Sequence, residues 1–231
     1  MHFFVTGTDT DCGKTLVTLG FMQLCLQRGL KTAGMKPVAA GALRTHDGLL
    51  NPDALAIQSQ CQPPLSYSQI NPYCFEPAVA PHLAAKQVDT RIDLEQISQQ
   101  YQELRNSHEA VIVEGAGGWK VPLNDDNDMA DLCHELQLPV VLVVGLRLGC
   151  INHALLSAEA IIASGQPLAG WIANHVDANM SLAEDNIQTL KQRIKAPLLG
   201  RIPRLDKVCA ETIATYLSLP GRTTSTINVS H

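Results

Sequence analysis

The 231-residue sequence predicts an α/β fold, a doubly wound, mainly parallel sheet with helices on both faces. Two observations carry that expectation. Short apolar runs rich in Val and Ile recur without polar alternation, as strands covered on both faces require. Segments of helical length lie between them, so strand and helix alternate along the chain.

The first run, "HFFVT" (2 to 6), leads through a glycine turn into a helix from Gly13 to Arg28. Leu19, Met22 and Leu26 form one row on it and Val17, Phe21 and Leu24 another, giving a broad apolar face; Gly29 suits its end. "TAGMK" (32 to 36) is the next strand, stopped by Pro37. Asn51 then caps a helix from Pro52 to Gln60, with Pro52 in its first turn and Asp53 favoured by the dipole. Residues 61 to 92 are rich in proline, lack periodicity and read as a loop region. Helices follow over Leu94 to Arg105, Met129 to Leu136, Cys150 to Ser164 and Leu182 to Ile194, between the strands "AVIVE" (110 to 114), "PVVLVV" (139 to 144) and "LAGWIA" (168 to 173). The tail, 221 to 231, has little to bury and is expected to be mobile.

Composition narrows the function classes. A chain that is 45% hydrophobic can bury a sizeable core, most simply as one domain over 1 to 231. A formal charge of -5 with scattered lysines and arginines offers no basic stripe for nucleic acid and no polybasic membrane patch. No apolar run reaches the length of a membrane span, and no signal-peptide pattern opens the chain. Seven cysteines, spread singly and odd in number, argue for a reducing cytoplasm, where the sequons at Asn179 and Asn228 are incidental.

"FVTGTDTDCGKTLV" (Phe4 to Val17) is the most informative stretch. A strand, a glycine turn, then Lys14 and Thr15 opening a helix is the setting of a phosphate-binding loop: backbone N-H groups face an anion, Lys14 adds a charge and Thr15 offers a hydroxyl to Mg²⁺. Five residues separate Gly7 from Gly13, however, where the common loop has four. A hard cation on a nucleotide calls for carboxylates as well. Glu114, between "AVIV" and "GAGG", belongs at the carboxyl edge of the sheet. Asp53 is a second candidate, although a helix start accounts for it equally. Lys36 places an ammonium near the same edge, where a solvent-facing lysine is the ordinary alternative. His153 and His175 have no sequence partner that marks them as base or ligand, and Trp119 and Trp171 read as packing residues.

In order along residues 2 to 205, "FVTGTDTDCGKT", "AGMKPVAAG", "NPDALA", "VIVEGAGGW", "LPVVLVVGLRLGCINHALL", "LAGWIANHV" and "APLLGRIP" resemble the successive motifs of the dethiobiotin synthetases, which have a P-loop NTPase-like fold. The five-residue spacer belongs to that family's pattern. The resemblance implies an ATP- and Mg²⁺-dependent cyclo-ligase that converts 7,8-diaminopelargonate and CO2 to dethiobiotin, with ADP and phosphate released. It further implies that Asp11, Cys12, Gly13, Lys14, Thr15 and Leu16 hold the phosphates, and that Thr15, Asp53 and Glu114 surround Mg²⁺. Lys36 and Lys14 would be catalytic, with Lys36 bridging carbamate and γ-phosphate. Gly115, Ala116 and Gly117 would lie along the nucleotide, and Asn174, His175, Pro203, Arg204 and Leu205 around the adenine. Thr10, Asp11, Lys36 and Gly118 would hold the diamine acid together with Gly149, Cys150, Ile151 and Asn152 of a second subunit, making a homodimer with the site at its interface.

Three positions depart from the family pattern: Ala40 where a substrate-binding serine is usual, His175 in place of a common aspartate, and Asn186 where a tyrosine can hold the substrate carboxylate. A switch ATPase of the partitioning type has a related fold, but such proteins carry a signature lysine early in the loop, and "GTDTD" has none before Lys14. An amidotransferase-like synthetase of the same fold would need a glutamine-handling domain, for which this chain has no room.

Overall fold

The computed structural model describes residues 1 to 205 and 209 to 221. The expectation for the tail lies outside the described residues apart from Gly221.

In chain order the elements are β1 (His2–Gly7), α1 (Lys14–Gln27), β2 (Thr32–Met35), β3 (Val38–Ala39), β4 (Leu43–Thr45), β5 (Gly48–Leu50), α2 (Pro52–Ser59), α3 (Tyr67–Ile70), β6 (Tyr73–Cys74) and α4 (Pro81–Gln87). Then come α5 (Leu94–Ser107), β7 (Ala110–Gly118), α6 (Met129–Leu136), β8 (Val140–Leu146), α7 (Cys150–Ala163), β9 (Leu168–His175), α8 (Ala183–Arg193), β10 (Leu198–Ile202) and α9 (Ala210–Ala214). The main sheet has the order β10-β9-β8-β1-β7-β2. Every pairing within it is parallel.

Neighbouring residues on β1 point to opposite faces, yet Phe3, Phe4 and Val5 are all buried, so both faces are covered. Phe3 meets Phe21 of α1 edge-on at 5.0 Å. Phe4, on the other face, meets Trp119 at 6.4 Å. The apolar rows on α1 are largely as expected, with Val17, Phe21 and Met22 buried. Thr18 and Cys25 are buried too, and so is Gly20, which α9 covers from outside: a Cβ on Gly20 would stand 2.5 Å from Ile213 Cγ2.

Three sequence expectations need correction. The sheet has a sixth strand, β10, which is too short and too broken by Gly200 to show a strand pattern. Residues 61 to 92 hold α3, β6 and α4, each too brief for periodicity to reveal. Finally, β7 runs past Glu114 to Gly118, pairing Gly118 with Gly7 after a bulge, so Glu114 lies within the sheet. It is fully buried.

The chain leaves β1 for β2 on one side and leaves β8 for β9 on the other, so the connections diverge at the β1–β8 pair, with β7 on the far side of β1. Crevices at such a reversal, beyond the carboxyl ends of the strands, are where doubly wound sheets take ligands. The loop after β1, Lys36 after β2 and the end of β7 all meet there.

Candidate active site

Two glycines let the chain close the longer loop. A Cβ on Gly7 would lie 2.2 Å from Cys12 Sγ, which packs down onto the strand end. Gly13 adopts φ 95° as the residue before α1, and a Cβ there would meet Asn174 Nδ2 at 2.1 Å. Asn174, at the end of β9, donates that amide to the Cys12 carbonyl at 2.9 Å, fixing the loop from the adjacent strand. On the outer side Arg147 donates to the Thr10 carbonyl at 3.2 Å and lies 3.6 Å from Asp9 Oδ2. No side chain caps α1 and no acidic residue sits in its first turn. The N-H groups of Lys14, Thr15 and Leu16 therefore face the crevice without an intrahelical partner, as an anion site needs. Lys14 folds back and donates to the Asp9 carbonyl at 2.8 Å.

Behind the loop four side chains converge. Thr15 Oγ1 donates to Glu114 Oε1 at 2.7 Å, and Lys36 Nζ donates to the same oxygen at 2.7 Å. Lys36 Nζ also donates to Asp53 Oδ2 at 2.6 Å. Burial pulls the Lys36 pKa down, but the charges of Glu114 and Asp53 and their hydrogen bonds outweigh it, leaving the pKa above that of an ordinary lysine. The ammonium is charged at any physiological pH. It serves this site as a positive charge rather than as a base.

Asn51 puts Asp53 in place. Its Oδ1 accepts from the N-H groups of Asp53 and Ala54 at 3.1 and 3.2 Å, with Pro52 in the first turn, so the helix-start reading holds. The cap and the contact with Lys36 coexist at one residue.

One atom of this donor set calls for a cation. Glu114 Oε2 is buried without a hydrogen-bond partner, while Oε1 takes two donors. An unpaired anionic oxygen beside a hydroxyl and a second carboxylate fits a hard, oxygen-seeking cation. Among the described residues no cluster of three or more His, Cys, Asp or Glu forms a ready-made metal cage. Mg²⁺ usually keeps waters and substrate phosphates among its ligands.

These groups open into a cavity of about 730 Å³. Of the residues expected from sequence, it brings together Thr10, Asp11, Gly13, Lys14, Thr15, Lys36, Asp53, Glu114, Ala116 and Gly117. Cys12 is buried beneath the loop, and Leu16, Gly115 and Gly118 lie beside the cavity rather than in its wall. Asn174 acts from behind the loop; His175, Pro203, Arg204 and Leu205 are also off the wall, with Arg204 donating to the Val176 carbonyl at 3.4 Å. Gly149, Cys150, Ile151 and Asn152, at the start of α7, do not line the cavity of their own chain. Sequence reasoning missed the wall formed by Ala39, Ala78, Val79, Ala80 and Pro81, which carries no chemical signature beyond being small and apolar. Ala40 belongs to that wall.

Comparison with known proteins bears on this arrangement. Residues 1–212 match a family model described as an AAA domain. A protein of Cellvibrio japonicus named ATP-dependent dethiobiotin synthetase BioD is 51% identical over 94% of this chain and 95% of its own length. Proteins of the same name from Chromohalobacter salexigens and Pseudomonas aeruginosa are 49% and 50% identical, over 95% and 94% of this chain and 98% and 96% of theirs. Among solved structures, the septum site-determining protein MinD of Pyrococcus horikoshii, complexed with Mg-ADP, superposes with a TM-score of 0.56 at 14% identity, over 93% of this chain and 86% of that one. A ParA family ATPase from Chlorobium tepidum gives 0.56 at 16%, over 94% and 90%. At such identities these two show a shared fold and nothing of shared activity.

Proposed function

The chain belongs to the ATP-dependent dethiobiotin synthetase family, and from that premise we propose that its site closes the ureido ring of 7,8-diaminopelargonate with CO2 and ATP, giving dethiobiotin, ADP and phosphate. One observation carries the reading: the Lys36 ammonium is held by two carboxylates, one of which also accepts from Thr15 at the start of α1, and all four side chains line one cavity with the phosphate loop.

The reaction brings anions together. One substrate amine adds to CO2 and loses a proton, giving a carbamate. A carbamate oxygen then takes the γ-phosphoryl group as ADP leaves, and the second amine attacks the mixed anhydride, forming the urea and releasing phosphate. Between two anions the protein must supply fixed positive charge and oriented donors. The first turn of α1 supplies N-H groups to the phosphates. Lys14 exchanges the Asp9 carbonyl for a phosphate oxygen, and Lys36 on its flexible stem reaches from the carboxylates to the point where carbamate and γ-phosphate meet. Thr15, Asp53 and Glu114 would hold Mg²⁺, which when bound supplies charge neutralisation at the phosphates.

The apolar wall of Ala39, Ala40 and Ala78 to Pro81 suits an alkyl chain, and Ala40 offers no hydroxyl for a hydrogen bond. Asn174 uses Nδ2 on the loop, which leaves Oδ1 to face a purine edge, with His175 and Pro203 to Leu205 beyond it. The substrate carboxylate requires donors outside the cavity. The N-terminus of α7, Gly149 to Asn152, would provide them from a second copy of the chain, and Leu148 and Leu156, 96% and 58% exposed on that side, are apolar surface for such a contact. All seven cysteines are free and no helix among the described residues can cross a membrane, in keeping with a cytoplasmic enzyme.

Phosphate release measured with and without bicarbonate and the diamine acid tests the reading. Joint dependence on both, with Mg²⁺ required, is the expected result. Hydrolysis indifferent to the diamine but raised by DNA or lipid vesicles would replace it with a switch ATPase.

A further inference from the structure

Lys36 and Asp53 come from different elements, the end of β2 and the start of α2, and their backbones are joined by a closed set of hydrogen bonds through α3. The Lys36 N-H donates to the Ile70 carbonyl at 2.9 Å. Asn71 Nδ2 donates to the Lys36 carbonyl at 2.7 Å and to the Tyr73 carbonyl at 3.1 Å. Those two bonds use both amide hydrogens, which fixes Oδ1 as the acceptor of the Tyr67 hydroxyl at 2.9 Å. Tyr67 has one proton to give, so its oxygen accepts from the Asn51 N-H at 2.7 Å and from Cys74 Sγ at 3.3 Å. Asn51 in turn caps the helix that carries Asp53. Burial, then the contact with Cys74, raises the Tyr67 pKa far above that of free tyrosine and keeps the proton in place.

Asn51 and Asn71 are 5% and 3% exposed, so each bond lost leaves a buried polar group without water to replace it. We infer that Tyr67 and Asn71 are positioning residues that hold Lys36 and Asp53 at the separation needed for turnover and for metal-dependent nucleotide binding. The inference rests on the function proposed above. Neither residue touches the cavity, so both act through Lys36 and Asp53.

Tyr67→Phe removes one oxygen and cuts the chain of bonds at its centre. Misplacing reacting groups by a fraction of their contact distance costs up to about 10² in rate, so kcat should fall at least about tenfold, while KM for ATP changes little. The gain in nucleotide affinity on adding Mg²⁺, measured by calorimetry against EDTA controls, should shrink while the metal-free affinity stays. Asn71→Asp, which keeps the acceptor for Tyr67 but loses the donor to the Lys36 carbonyl, should do the same and serves if the first variant fails to fold. Tyr73→Phe is the control: its hydroxyl donates to Gln96 and accepts from the Asp93 N-H, away from both site residues. It should affect stability only. Wild-type kcat and Mg²⁺ dependence in Tyr67→Phe and Asn71→Asp, with only a lowered melting temperature, would overturn the inference. If the wild type shows no turnover dependent on the diamine and bicarbonate, the proposed function fails, and the calorimetric arm alone decides the role of Tyr67 and Asn71.

Discussion

Lys36 and Glu114 form a buried ion pair: Nζ lies 2.7 Å from Oε1, with the two side chains 7% and 0% exposed. Such a pair gains little by itself, because desolvation offsets attraction, but cutting it leaves a charge stranded. Here Asp53 remains as a second partner, itself half exposed. Glu114→Gln should therefore destabilise the metal-free protein by about 1–3 kcal/mol, less than the ~3–5 kcal/mol for orphaning a buried charge outright. Urea unfolding gives the number, and an unchanged midpoint would mean that the ammonium is satisfied without Glu114. The same variant should lose Mg²⁺-dependent turnover.

Lys36→Ala should separate chemistry from binding. Loss of a preorganised stabilising group typically costs about 10² to 10³ in rate, and nucleotide affinity should persist because the loop amides and Lys14 are untouched. Lys14→Ala should weaken nucleotide binding as well. Normal turnover of Lys36→Ala at saturating substrates would reduce Lys36 to a structural counter-ion.

How much of this was legible in the sequence follows from the range of each interaction. The strand–glycine–helix order, the Asn51 cap and the core positions Val17 and Phe21 depend on neighbours a few residues away, and the structure has all of them. Motif resemblance decided between function and the ordinary alternative for Asp53 and Lys36, whose pairing across 17 residues no local pattern displays. The ties from Tyr67 and Asn71 stayed invisible, since they join residues 16 to 35 apart through a segment with no period. The apolar cavity wall was equally silent: alanines, valine and proline acquire meaning only when β3 and the residues leading into α4 bring them to the same cavity as the phosphate loop.

Asn174 now has two duties to separate. Its amide nitrogen holds the Cys12 carbonyl, and the proposed adenine contact uses the oxygen. Asn174→Ala should lower the preference for ATP over other triphosphates, read as relative kcat/KM, and should also reduce thermal stability because the loop loses its tie to β9. A stability loss without any change in nucleotide preference would place base recognition elsewhere.

His2 should make the fold sensitive to acid. Burial, then the charges of the amino terminus and Arg105, lower its pKa to about 4, against about 6.5 for free histidine. Between those values the unfolded chain binds a proton that the folded chain refuses, so the contribution is complete above about pH 6.5 and is lost as pH falls toward 4. His2→Gln should flatten the decline of the urea midpoint across that window. Parallel pH profiles for variant and wild type would show that His2 protonates freely in the folded protein.

The shared site is open to a test by complementation. In the proposed two-fold dimer, Lys36 and the phosphate loop of one chain face Gly149 to Asn152 of the other, so each site draws on both. Lys36→Ala and Asn152→Ala chains, each impaired alone, should recover activity when mixed and reassorted. A mixed dimer carries one site with both defects and one with neither. Random reassortment makes about half the dimers mixed, so activity should approach roughly a quarter of wild type. If each chain instead builds a whole site from its own residues, every site keeps one defect and mixing restores nothing. Mixed dimers verified by mass spectrometry yet no more active than the separate variants would therefore assign the α7 N-terminus to its own chain, or remove it from the site altogether.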